Sequence, residues 1–103
     1  MGITVAAFDA DASTAHMRMF APDAGVAEDP ATGSAAVALA VFLVDRGVLA
    51  ADGQTGFLIS QGAEIDRPSQ LGVLVHAESG TAVRASVWGN VAPVARGELV
   101  ALP

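Results

Sequence analysis

Cysteine is absent from all 103 residues, which excludes disulfides, thiolate zinc sites and cysteine nucleophiles together. Basic residues are scarce, five against eleven acidic, for a net charge of −6 with no basic run. A polyanionic backbone is repelled by such a chain, so no nucleic-acid partner is expected. Aromatic residues make up only 5%, so the 52% hydrophobic content rests on Ala and Val and implies a tightly packed, small-residue interior. Long apolar runs are missing too. The longest, Gly33 to Val44, falls short of the ~20 residues that cross a bilayer. The first residues, MGITVAAFDADAS, lack the basic lead of a signal peptide. No membrane partner and a cytoplasmic location are the expectation.

What the chain does contain is enough apolar residue for one compact domain, residues 1–103, and too little length for two. Strands are predicted over Ile3–Asp9, Ala15–Pro22, Thr55–Gly62, Leu71–Ser79, Gly80–Gly89 and Val91–Leu102, separated by Gly, Pro and Asn turns, with DAGVAED (residues 23–29) as a loop. One helix is predicted over about residues 32–46. It can begin at Asp29-Pro30, a good cap followed by a good first residue, or a few residues later at Thr32 or Ser34, and Gly47 supplies a left-handed end. From Ala35 to Val44 no face of this helix is polar, so the rest of the chain should wrap it on all sides. The fold class is therefore α+β, a curled mixed sheet around one central apolar helix.

Chemistry concentrates in EDPATGSA, Glu28 to Ala35. A helix start leaves backbone N–H groups unpaired at the positive end of the dipole. Thr32 and Ser34 add hydroxyls and Gly33 allows close approach, an arrangement that suits a carboxylate or phosphate. The same residues also make an ordinary helix cap, and spacing alone favours that reading. Sharper alternatives fail. No Lys follows Gly33 as a phosphate loop requires, and Ser34 lacks the second Gly of a nucleophile elbow. His16 and His76 lie far apart in sequence, so no metal site is expected. A carboxylate at a helix start is held ionised, which fits Asp29 for holding a ligand rather than moving a proton. No obvious base remains.

Three ordered stretches nevertheless resemble one family. RMFAPDAGVAEDPATGSAAVALAVFL (Arg18–Leu43) resembles the signature of the PhzF family, the phenazine-biosynthesis-like isomerases with the diaminopimelate epimerase fold. ISQGAEIDRPSQLGV (Ile59–Val73) is similar to its Gln-Gly…Arg-Pro-Ser segment, and VWGNVAPVARGELVAL (Val87–Leu102) to its closing strands. The resemblance implies two pseudo-symmetric halves, each a curved sheet around a central helix, with this chain matching the C-terminal half. It implies substrate contacts from Asp29 and Ser34, carboxylate binding by N–H groups around Gly33 and Ser34, and a helping role for Thr32. With it, ligand binding outweighs plain capping.

The chemistry implied is a biosynthetic, cofactor-free proton shift on a small cyclic acid. A glutamate of the N-terminal half, absent here, carries it with a supporting histidine, so no catalytic residue is assigned to this chain. The alternative is a non-catalytic carboxylate-binding module or an inactive truncated member. A homodimer or higher self-association, or a separate chain supplying the N-terminal half, is the expected partner. Asp66 stands where the family has Gly before Arg-Pro-Ser, and Asp tolerates the left-handed backbone such a turn needs.

Overall fold

The computed structural model describes residues 1–101. Six strands and one helix follow one another along the chain: β1 (Ile3–Asp9), β2 (Thr14–Ala21), β3 (Val26–Asp29), α1 (Gly33–Asp45), β4 (Gly53–Gln61), β5 (Ser69–Glu78) and β6 (Thr81–Gly89). Short 3-10 turns at Pro22–Ala24 and Ala63–Ile65 complete the ordered elements. The strands form one mixed sheet in the order β1-β2-β4-β5-β6, with β3 paired to β2. All neighbours are antiparallel except β2 and β4, which run parallel with Met17 opposite Gln61. The class is mixed α+β, and the sheet is open rather than closed. No helix among the described residues is long and apolar enough to cross a membrane.

Alternation decides which face of each strand meets the helix. On β4 the inward residues are Phe57, Ile59 and Gln61, and on β5 they are Leu71, Val73, Val75 and Ala77, all buried. From α1, Ala36 and Ala40 are fully buried one turn apart, with Leu43 and Val44 behind them. Two alanines on one stripe bring the helix axis close to β5 and β6, against which it packs. The small-residue interior follows directly from this composition.

The helix starts at the later of its two expected positions, with Thr32 as the flanking residue in extended geometry. It ends as expected. Gly47 is left-handed (φ 72°), its N–H donating to the Val44 carbonyl while Val48 N–H reaches Leu43. Ser79 and Gly80 make the β5–β6 turn, both with positive φ.

Three expectations are corrected. The loop over residues 23–29 contains β3, which forms by pairing with β2 across an irregularity between Met19 and Ala21. Such a short strand depends on its pairing with the preceding strand and carries no periodic signal of its own. The helix is not wrapped on all sides: the sheet covers one side, and Ala38, Val41 and Phe42 face outward, Phe42 at 53% exposure. Finally, no strand forms over residues 91–101, where Val91, Val94, Leu99 and Val100 are exposed; the predicted end of that strand, Leu102, lies outside the described residues. These two failures have one cause. The residues have strand and core patterns, but no element of the described fold covers them.

Candidate substrate-binding site

Gln61 is the key to the helix start. It closes β4 on the inward-facing side and is 1% exposed, a fully buried amide among apolar neighbours. Such a group is costly unless its hydrogen-bonding capacity is met. Its Nε2 donates to the Asp29 carbonyl at 2.8 Å and to the Thr32 hydroxyl at 3.0 Å, and its Oε1 accepts from the Thr32 N–H at 3.1 Å. The Thr32 hydroxyl in turn donates to the Asp29 carboxylate. One side chain from β4 thus fastens the end of β3 to the residue that flanks the start of α1.

This knot changes the roles expected for Asp29 and Thr32. Asp29 is the last residue of β3, not the cap of the helix. The Thr32 hydroxyl, which a capping residue would offer to an N–H one turn ahead, points back to Asp29 instead, and no side chain caps the helix. The first turn contains no acidic residue either. The positive end of α1 is therefore left without compensation from its own side chains.

Gly33 and Ser34 stand at that open end. Gly33 borders a cleft of about 440 Å³ whose other walls include Ala31, Ser69, Gln70, Trp88 and Asn90. Ser34 is exposed. A Cβ on Gly33 would meet only Val87 Cγ1, at an ordinary 3.5 Å, so packing does not demand glycine here. Trp88 stands over Gly72, its partner across the β5–β6 ladder. A Cβ on Gly72 would overlap the indole at 2.1 Å, so glycine is what lets the ring lie against β5 beside the cleft. Of the four expected site residues, Asp29 and Thr32 are joined in the knot, while Gly33 and Ser34 form the accessible surface.

A neighbouring loop braces the same point. Gly62, φ 91°, has no room for a side chain: a Cβ would lie 2.2 Å from the Arg67 carbonyl and 2.8 Å from that of Pro30. Its own carbonyl accepts from the N–H groups of Ile65 and Arg67. Asp66 adopts the left-handed geometry expected of it, φ 57°.

The remaining titratable groups are engaged elsewhere. Arg18 grips Glu28 with both arms of its guanidinium, Nε to Oε2 at 3.0 Å and Nη2 to Oε1 at 2.8 Å, and lies 5.2 Å from the Phe20 ring centroid. That pairing raises the Arg18 pKa, chiefly through its hydrogen bonds to Glu28. His16 meets Glu64 at 2.5 Å, and this hydrogen bond holds the Glu64 carboxyl below its ordinary range. Neither glutamate is a free base, and a depressed pKa makes Glu64 a poor proton acceptor. His76 lies beside Glu78, away from His16, so the two histidines do not meet.

Sequence reading missed Gln61 as a site residue. The available signal was its parity: a polar residue in step with Phe57 and Ile59 on the buried face of a strand.

A family model described as phenazine biosynthesis-like protein matches residues 1–97. The chain is 41% identical, over 81% of its length, to a trans-2,3-dihydro-3-hydroxyanthranilate isomerase of Pseudomonas chlororaphis, and 40% identical over 81% to a protein of the same name from Pseudomonas fluorescens. It is 37% identical, over 84%, to an uncharacterized isomerase of Mesorhizobium japonicum. The matched segment spans 29%, 29% and 28% of these relatives, respectively, so the chain covers less than a third of their length.

Proposed function

The chain belongs to the phenazine biosynthesis-like protein family, and from that premise we propose that it forms the substrate-holding wall of an isomerase that shifts a proton, without a cofactor, on a small cyclic carboxylic acid. The observation that carries this reading is the uncapped start of α1 facing a cleft. Backbone N–H groups at Gly33 and Ser34 receive the carboxylate, aided by the helix dipole and the Ser34 hydroxyl. Asp29 and Thr32 act behind them, fixing the angle at which the helix begins.

Gly33 adds independent support. Glycine at a helix start costs less than the ~1 kcal/mol it costs in a helix interior, but the fold has room for a methyl group there. A ligand lying against the backbone supplies the reason for its absence.

The proton-moving group lies outside this chain. Glu28 is held by Arg18 and Glu64 by the hydrogen bond to His16, so this chain alone holds the acid and does not turn it over. A diaminopimelate epimerase-like second half, in a separate chain or in the remainder of a longer one, would supply the base and the opposite wall.

Thermal denaturation with a panel of small cyclic carboxylic acids tests the proposal. At least one acid should raise the melting temperature. Gly33→Ala should leave the free protein as stable or slightly more so, yet reduce the ligand-induced rise. No response to any acid, or an undiminished response in Gly33→Ala, contradicts the reading.

A further inference from the structure

A threonine flanking a helix start ordinarily turns its hydroxyl oxygen to an N–H two or three residues ahead. Thr32 has the extended backbone of such a residue, φ −126° and ψ 97°, and its carbonyl accepts the first helical bond from the Ala36 N–H. The N–H groups it could reach as a cap are those of Ser34 and Ala35. It makes no cap hydrogen bond to either. The bonds around Gln61 account for this.

The orientation of the Gln61 amide is fixed twice over. A backbone N–H can only donate, so the Thr32 N–H requires the amide oxygen; a backbone carbonyl can only accept, so that of Asp29 requires the amide nitrogen. Nε2 carries two protons. One goes to the Asp29 carbonyl and the other to the Thr32 hydroxyl. An amide nitrogen is a donor alone, so the hydroxyl accepts in that bond and its single proton goes to the Asp29 carboxylate. Donation therefore runs one way, from Gln61 to Thr32 to Asp29. Turning the Thr32 hydroxyl toward Ser34 or Ala35 would give up both of its bonds at once. Gln61 itself is firmly placed. It lies opposite Met17 of β2 and Ser69 of β5, and Gly62 after it is packed against the Arg67 and Pro30 carbonyls.

We propose that Gln61 is a positioning residue of the site: by holding the Thr32 hydroxyl on Asp29, it stops the protein from capping its own helix and keeps the first N–H groups of α1 open to a ligand. With an apolar residue in its place, Thr32 is released to rotate and cap, and the site closes from within. Glutamine suits this task because one side chain both accepts and donates; an ionised glutamate of the same shape has no proton for the Asp29 carbonyl or the Thr32 hydroxyl. The consequence for a ligand rests on the carboxylate reading above. The direction of the Thr32 hydroxyl does not.

A double-mutant cycle between positions 61 and 32, read at the Ser34 and Ala35 amides by NMR, tests this. In the free wild-type protein the Thr32 hydroxyl proton should lie against the Asp29 side chain, and Thr32→Val should leave exchange at both amides unchanged. In Gln61→Leu one of the two amides should exchange about fivefold more slowly than in Gln61→Leu/Thr32→Val, because valine cannot cap. Benzoate serves as the probe for the site. Its affinity should fall about fivefold in Gln61→Leu, as the open state becomes the minor one, and recover in the double variant although that protein is the less stable. A purely structural Gln61 gives no such recovery. Gln61→Met supplies the same series if the leucine variant does not fold. A Thr32 hydroxyl proton away from Asp29 in the wild type overturns the proposal, and so do equal exchange rates in the single and double variants. Failure of benzoate to bind the wild type counts against the carboxylate reading instead, and the exchange rates then decide this proposal alone.

Discussion

Two polar clusters lie on opposite sides of the same strands, and they differ in what surrounds them. Inside, Gln61, Thr32 and Asp29 form a knot in which Gln61 is 1% and Thr32 9% exposed. Outside, His16 hydrogen-bonds Glu64 and Arg18 forms an ion pair with Glu28 on the face away from α1, with the His16 side chain 49% exposed. The inner cluster is built mainly from an amide, a hydroxyl and backbone groups around the one carboxylate of Asp29, whereas the outer one sets two carboxylates against Arg18 and His16. Burial makes the weaker groups the more consequential ones, because an unmet hydrogen bond in the interior is not replaced by water. The inner knot shapes the site; the outer pairs stabilise the surface around it.

Breaking the inner knot should have the largest effect. Gln61→Leu keeps the bulk but leaves the Thr32 N–H and the Asp29 carbonyl without their partner, at a cost of about 3 kcal/mol. Urea denaturation measures it, and a loss near zero would mean that these groups find other partners and that the knot is ornamental. Thr32→Val is a finer cut. It removes the hydroxyl that links Gln61 to Asp29 while leaving the backbone bond to Gln61, and about 1–2 kcal/mol should be lost. Were Thr32 a simple cap, the helix would fray at its start; the knot predicts instead that Asp29 and the end of β3 loosen, visible in amide exchange.

The smallest change belongs to the outer pair. The Glu64 carboxyl is held below its ordinary value of 4.5, first by the hydrogen bond from His16. A depressed folded pKa adds stability that is present above the unfolded value and lost as pH falls through the folded one. Glu64→Gln should therefore flatten a shallow acid-side slope in stability and leave the neutral value nearly unchanged, since exposed pairs contribute little. A large loss at neutral pH would make the outer cluster the equal of the inner one.

Much of this arrangement was legible in the residues. Strand-forming runs bounded by turn residues located β1, β4, β5 and β6, the apolar run located α1, and Gly47 marked its end. The stretch from Glu28 to Ala35 drew attention for the right reason, since it does open the helix. Three things were not legible. β3 has four residues and exists only because β2 is beside it. The parallel pairing of β2 with β4, which brings Gln61 to Thr32, joins segments more than forty residues apart. Residues 91–101 carry the residues of a strand yet pair with no strand of the sheet. Local pattern specifies what a segment can be, and its neighbour decides whether it becomes so.

Amide chemical shifts followed during titration with a small cyclic carboxylate test the central claim, that the uncapped start of α1 is a built carboxylate site. The account predicts the largest changes at the Gly33 and Ser34 N–H groups, with the Trp88 indole, which also lines the cleft, responding. Changes centred elsewhere, or none at concentrations that saturate comparable helix-start sites, would contradict it.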